Sequence, residues 1–301
     1  MIEGQDGVSW PQWLALARAC EASGVPALFR SDHQLNLDGV EERGSLDAWA
    51  VLTALGAHTS TLRLGTLVSP VTFRHPSDVA KVVVAADHVS GGRVELGLGA
   101  GWNEREHAAY GFPFPPLRER MGMLAEQLEI VHRQWTEGSF SFAGEHYRLE
   151  ALDAQPKPLQ APHPPLLMGG RAGPRAAALA ARWADEYNTS FATLDELLPM
   201  KQRVEAACEA AGRDPIPFSL MTGVLVGRDR AELEDRTRLL TEFRDKAPGG
   251  GAWITGTVDE VAEQLGALRD AGVARVMCQH LLHTDVDMVA LIGRELAPQV
   301  A

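Results

Sequence analysis

An imidazole beside a carboxylate is the first place where this sequence could do chemistry. The run Phe29-Arg30-Ser31-Asp32-His33 carries an apolar segment into a histidine that titrates near neutral pH, next to an aspartate able to orient it. The plain alternative is a histidine that only satisfies hydrogen bonds at a strand end. A second run, GGRVELGLGAGWNERE at 91–106, leads an alternating strand into a Gly-rich bend and a charged helix start. Gly97, Gly99 and Gly101 would let the backbone take positive φ and approach a ligand closely, with Trp102 as a flat wall. This is not dinucleotide-loop spacing, because the third glycine of G-x-G-x-x-G would fall on Trp102, or on Glu104 when counted from Gly99. In a third run, Gly169-Gly170-Arg171 precedes Pro174, leaving backbone N–H groups at a positive helix end with Arg171 and Arg175 nearby. That pattern suits a phosphate, or is an ordinary glycine turn. Trp102 has a packing alternative, and Asn103 could simply cap the helix that follows.

The elements that must position these residues alternate regularly. Strand-like segments are expected at 27–30, 62–68, 93–98, 165–168, 185–188, 218–226 and 273–279. Amphipathic segments at 11–23, 47–59, 76–89, 116–136, 174–184, 194–211, 230–244 and 258–271, with a last one at 285–296, read as helices, several opening with Pro or Asp and several closing on Gly. Seven strand–helix units make a parallel sheet, and an eighth closes a (β/α)8 barrel. The eighth strand would be Met1-Ile2-Glu3, short enough to read as truncated and to leave closure open. The chain is expected to form a single domain over 1–301, with insertions near 137–164, where Ser139–Leu149 reads as a hairpin, and near 246–257, where Gly249-Gly250-Gly251 reads as a loop. In such a barrel, function belongs at the C-terminal strand ends. Asp32 and His33, then Thr66, Leu67 and Ser69, then Gly99 to Asn103, then Gly169 to Arg171, and finally Asn188 all fall there.

Composition narrows the partners. With 45 % hydrophobic and 23 % charged residues, the 301-residue chain can bury an ordinary globular core. A net charge of −12 without a basic run argues against nucleic acid. No uncharged apolar run approaches the roughly 18 residues of a membrane span, and MIEGQDG lacks the basic and apolar regions of a signal peptide, so a cytoplasmic protein is expected. Cys20, Cys208 and Cys278 are odd in number and far apart, which suits reduced thiols rather than disulfides or zinc ligands. No histidine pair has metal-ligand spacing, and no Gly-x-Ser-x-Gly elbow is present.

These runs together resemble the bacterial-luciferase-like superfamily, in its coenzyme F420-dependent oxidoreductase branch. The resemblance is carried by FRSDH at 29–33, LRLGTLVSPVTFRHP at 62–76, GGRVELGLGAGWNEREHAAYG at 91–111, PPLLMGG at 164–170 and ADEYN at 184–188. It implies a (β/α)8 barrel binding F420, or alternatively FMN, at its C-terminal rim, a small-molecule substrate and a homodimer. By position it implies that Asp32 and His33 face the ring system, with His33 handling a proton. It further implies a cis peptide at Thr66-Leu67 behind the ring, Ser69 on the cofactor, and Gly169-Gly170 on its phosphate. Trp102 stands where sugar-phosphate dehydrogenases of the superfamily carry a glutamate proton donor, so that activity is not expected. Three functions stay open: an F420-dependent hydride-transfer enzyme, an FMN-dependent monooxygenase, and a non-catalytic protein that keeps the fold.

Overall fold

The computed structural model describes residues 1–40, 42–245, 249 and 252–300. The parallel strands are β1 (Ala27–Arg30), β2 (Arg63–Thr66), β3 (Ser69–Pro70), β4 (Val94–Gly99), β7 (Leu166–Gly169), β8 (Glu186–Ser190), β9 (Phe218–Gly227), β10 (Ile254–Thr257) and β11 (Arg275–Gln279), while β5 (Phe140–Ala143) and β6 (Arg148–Leu152) form a separate antiparallel hairpin. Around them lie α1 (Trp10–Ser23), α2 (Ala48–His58), α3 (Pro76–Ser90), α4 (Glu104–Tyr110), α5 (Leu117–Thr136), α6 (Pro174–Trp183), α7 (Leu194–Ala210), α8 (Arg230–Arg244), α9 (Val258–Asp270) and α10 (Val286–Leu291). Local chemistry sets many of the boundaries. Pro76 and Pro174 open helices, Asp47, Asp229 and Asp285 accept N-cap hydrogen bonds, and Gly24, Gly91 and Gly111 close helices in the left-handed region.

Strand pairing runs β1-β2-β4-β7-β8-β9-β11, and the open edge is closed by the first two residues. Ile2 N–H donates to the Phe29 carbonyl at 2.9 Å and its own carbonyl accepts from Ser31 N–H at 3.1 Å. On the other side the Met1 ammonium donates to the Cys278 carbonyl at 2.9 Å, and His280 N–H donates to the Met1 carbonyl at 2.9 Å. The short segment is therefore a sufficient eighth stave, because closure needs only these bonds to each neighbour. In the late insertion, residues 246–248, 250 and 251 lie outside the described residues, and 254–257 is not loop but β10, which pairs with the outer half of β9. The earlier insertion is the β5–β6 hairpin, held to α5 by Glu126, whose carboxylate accepts from the N–H groups of Glu145, His146 and Tyr147.

The barrel interior is layered. At the base Arg275 donates to Glu95 at 2.9 Å and to Glu186 at 2.6 Å, and Arg63 reaches Glu95 at 2.5 Å. Above them an apolar layer of Met1, Phe29, Leu167, Met221 and Met277 seals the middle. Gly65 belongs to this packing, because a Cβ there would stand 2.4 Å from the Phe29 ring. The larger core lies between staves and helices, where Trp13, Leu16, Leu52, Leu55 and Leu64 are fully buried. Strands buried on both faces, such as β4, follow from this two-sided covering.

Replacing Arg275 by Met leaves Glu95 and Glu186 buried against an apolar layer without their common partner. The expected loss is roughly 3 kcal/mol of unfolding free energy, read by urea denaturation. Adding Glu95→Gln and Glu186→Gln to that variant should restore part of it.

Candidate active site

The layers leave the barrel open at one end only. There the C-terminal ends of the staves surround a cavity of about 1080 Å³. His33, three residues beyond the end of β1, lines it, and so does Glu106 in the first turn of α4. The His33 Nδ1 and Glu106 Oε2 atoms are 2.9 Å apart. The other Glu106 oxygen accepts from the backbone N–H groups of Gln34 and Leu35. Burial alone would lower the His33 pKa, but the hydrogen bond and charge of Glu106 outweigh it and hold the imidazole above its ordinary range. Burial acts to raise Glu106, and His33 with the two N–H donors carries it the other way, below the usual carboxylate range. Among the described residues Nε2 of His33 has no hydrogen-bond partner, so it is the ring atom left for a ligand in the cavity. Trp102, 65 % exposed, sits edge-on to His33 with ring centres 5.6 Å apart.

Asp32 has a different place from the one its neighbour suggested. It is buried and absent from the cavity lining, accepting from Ser69 Oγ at 2.6 Å and from Arg74 at 2.5 Å. Ser69 in turn accepts from Trp49 Nε1 at 3.1 Å, and Arg74 also binds Asp47 at 2.7 Å. This network sits behind the wall, so neither Asp32 nor Ser69 faces a ring, and Glu106 rather than Asp32 orients His33. Adjacent residues in an extended segment point to opposite sides, which sends Asp32 outward when His33 points in. Thr66 is likewise behind the wall, with Oγ1 donating to the Gly97 carbonyl at 3.2 Å.

Leu67 and Val68 do line the cavity. Between Leu64 and Ser69 this stave spends one residue more than β4 opposite it, a bulge that re-aims the chain. The cis peptide lies here at Leu67-Val68, one residue later than the expected Thr66-Leu67. The surrounding glycines answer this bulge. A Cβ on Gly97 would stand 2.2 Å from the Thr66 carbonyl oxygen, one on Gly99 would meet Val68 Cγ2 at 2.6 Å, and one on Gly169 would meet Val68 Cγ1 at 3.0 Å. Only Gly101 of the first three glycines takes a positive φ, at 77°. Gly97 and Gly99 thus serve close packing of their own backbone, and Asn103 caps α4 by accepting from Glu106 N–H at 3.4 Å while its surface also lines the cavity.

Gly169, Gly170, Arg171 and the start of α6 form one end of the cavity. The Gly170 N–H is spent on the Asn188 carbonyl at 3.0 Å and the Ala172 N–H on Tyr187 Oη at 2.8 Å, whereas among the described residues the N–H groups of Arg175 and Ala176 in the α6 first turn have no partner, and Gly173 supplies no side-chain cap. Arg171 and Arg175 line this end. Asn188 lines it too, with its amide nitrogen donating to Ser219 Oγ at 2.8 Å. A helix end, two arginines and a wall shaped by Leu67 and Val68 fit a planar cofactor with an anionic tail.

The end across the barrel was not read from the sequence. Glu3 accepts from the side-chain amides of Gln5 at 2.7 Å and Gln279 at 2.6 Å. Asp6 accepts from Asn36 at 2.8 Å and Arg244 at 2.7 Å, and Arg244 also binds Asp38 at 2.8 Å. Burial pushes Asp6 up to about 6 against the pull of Arg244. No local motif marks these residues, because the first turn, the loop after β1, the end of α8 and the end of β11 meet only in the closed barrel. His280 and His283 stay off the cavity wall, and burial pushes them down to about 4 and about 3. Among the described residues no group of three or more His, Cys, Asp or Glu is placed to hold a metal ion, and no helix is long and apolar enough to cross a membrane.

Known proteins are similar in sequence and in fold. The family model for luciferase-like monooxygenases matches residues 2–249. The chain is similar to an F420-dependent hydroxymycolic acid dehydrogenase of Mycobacterium tuberculosis, 31 % identical over 221 residues, which cover 72 % of this chain and 60 % of that protein. It is also similar to an FMNH2-dependent dimethylsulfone monooxygenase of Pseudomonas putida, 27 % identical over 289 residues, covering 82 % of this chain and 76 % of that one. Against uncharacterised mycobacterial proteins it is 38 % identical and spans 60 % of their length. The structure of coenzyme F420-dependent tetrahydromethanopterin reductase from Methanopyrus kandleri has the same fold, with a TM-score of 0.83 at 19 % identity over 100 % of this chain and 98 % of the other. An α/β barrel closed in this order, together with a family match over most of its length, places the chain in the luciferase-like monooxygenase family.

Proposed function

We propose that this protein is an F420-dependent oxidoreductase that moves a hydride between the deazaflavin and a small organic substrate. The observation that carries this reading is the His33–Glu106 pair beside the wall of Leu67 and Val68, an imidazole whose charged form the carboxylate favours and whose other nitrogen is left for a ligand. When bound, a deazaflavin supplies two electrons together as hydride. The chain's own residues do the rest. Leu67, Val68 and the glycines around them give the ring a flat backing, and the α6 N-terminus with Arg171 and Arg175 holds the anionic tail. His33 Nε2 gives the proton that the substrate heteroatom needs as the hydride arrives, and Glu106 stabilises the imidazolium before that transfer. Trp102 covers the substrate side. The F420-dependent relative and structural neighbour support this choice of cofactor, and the similarity to an FMNH2-dependent monooxygenase keeps FMN with oxygen as the second reading. A cytoplasmic homodimer belongs to the same proposal, and its dimeric state is checked by light scattering of the purified protein.

Three outcomes test this. Fluorescence titration of the purified protein with oxidised F420 and, separately, with FMN is expected to give tighter binding of F420; binding of FMN alone at micromolar concentration sinks the first reading. His33→Ala should keep cofactor affinity while turnover falls by about 10²-fold to 10⁴-fold, the usual worth of a positioned proton donor. Unchanged turnover would reduce His33 to a structural part. With a donor whose pKa is raised, reduction should hold level at low pH and fall as pH rises through the His33 value. Glu106→Gln removes the partner that raises it, so the fall should move to lower pH. The histidine's share of the pair's stability has the same sign, being full below the ordinary histidine value of about 6.5 and lost as pH rises through the raised one, whereas Glu106's share is present above the ordinary carboxylate value of about 4.3 and lost as pH falls through its lowered one.

A further inference from the structure

We infer that the substrate is an uncharged carbonyl compound with a largely apolar body, or the corresponding alcohol in the reverse direction, and that anions are turned away at the end of the cavity across from α6. The inference rests on the hydride-transfer reading above and adds to it the class of molecule. In an eight-stave barrel the stave at Met1–Glu3 lies four places from β7 in either direction, so the two ends of the cavity face each other across its diameter. Their charges differ. The β7 end carries Arg171 and Arg175, neither joined to a carboxylate among the described residues. Among the described residues the opposite end carries the carboxylates of Glu3, Asp6 and Asp38 with a single lining guanidinium, Arg244, which already binds two of them at 2.7 Å and 2.8 Å. His33 is likewise already joined to Glu106. Among the described residues that line the cavity, then, every cation outside the α6 end is paired.

An anionic substituent on the substrate would have to lie beside Glu3 or compete with Asp6 and Asp38 for Arg244, in a recess where water screens poorly. An uncharged one meets no such penalty. Leu37, Leu240, Trp253 and Leu281 supply apolar surface at this end, and His33 Nε2 supplies a donor for a carbonyl oxygen. In the reducing direction the carbonyl carbon gains the hydride of the reduced deazaflavin, its π pair moves to oxygen, and oxygen takes the Nε2 proton. The products are the alcohol, the oxidised cofactor and a neutral imidazole that regains a proton from solvent.

The test uses three ketones of one shape: 4-acetylbenzamide, its anionic isostere 4-acetylbenzoate, and the cationic 4-acetylbenzylamine. Reoxidation of reduced F420 by the holoenzyme is followed without oxygen, and binding of each ketone to protein loaded with oxidised F420, or with FMN if that is what it holds, is measured by calorimetry. The benzamide should exceed the benzoate roughly tenfold or more in kcat/KM and in affinity. Asp6→Asn with Asp38→Asn frees Arg244 and should narrow that gap, and Asp38→Asn alone should narrow it less, which serves if the double variant does not fold. Equal or better use of the benzoate, preference for the benzylamine, or binding of none of the three overturns the inference. A binding preference for the benzamide without F420 turnover supports it and overturns the hydride-transfer reading alone.

Discussion

A guanidinium held between two carboxylates decides which end of this barrel can bind anything. Arg275, Glu95, Glu186 and Arg63 come from four staves and balance in sign at the barrel base. Taking them from water is costly, and the cost is offset only while each keeps its partner. The apolar layer of Phe29, Leu167, Met221 and Met277 above them keeps water out of the middle. With base and middle filled, the interior can open only at the C-terminal strand ends. The same strand ends carry the loops that line the cavity.

At that open end each stave divides its residues between wall and cavity. The wall is expensive in polar groups and satisfies them: Asp32 answers Ser69 and Arg74, Ser69 answers Trp49, and Arg74 answers Asp47. Because Asp32 is tied into this network it can hold the β1 loop in place, and the histidine that follows is then aimed at the cavity. The orienting carboxylate comes from another element, Glu106 on α4, itself fixed by backbone donors of the β1 loop. The two loops hold each other, and the geometry of the pair is preorganised before any ligand arrives.

The bulge at Leu67-Val68 shows how little side-chain freedom such a wall leaves. Three glycines on two neighbouring strands clear the volume that the Thr66–Val68 segment occupies, and a methyl group on Gly97 would collide with backbone rather than with a movable side chain. Charge is distributed with similar economy. In a chain of net charge −12 the lining arginines without a carboxylate partner are gathered at the α6 end, and the far end spends its arginine on two aspartates. One cavity thereby has a basic end and an acidic one.

Periodicity, glycine and proline placement, and capping residues made the order of strands and helices legible in the sequence, because they act within a few residues of one another. So did the gathering of His33, Trp102, Gly101, Gly169 and Asn188 on one rim, which follows from parallel connectivity. The direction in which each rim residue points was decided by tertiary structure alone. Alternation along an extended segment sends Asp32, Thr66 and Ser69 into the wall while His33 enters the cavity, and one extra residue in a bulge shifts the register between them. Glu106 lay in plain view as an acidic residue in a helix first turn, yet its partner is 73 positions away. The set Glu3, Asp6, Asp38, Arg244 and Gln279 spans nearly the whole chain, and only the bonds from Met1 and Ile2 to β1 and β11 bring it together. Local rules determine elements; contacts between residues far apart in sequence exist only once the barrel closes.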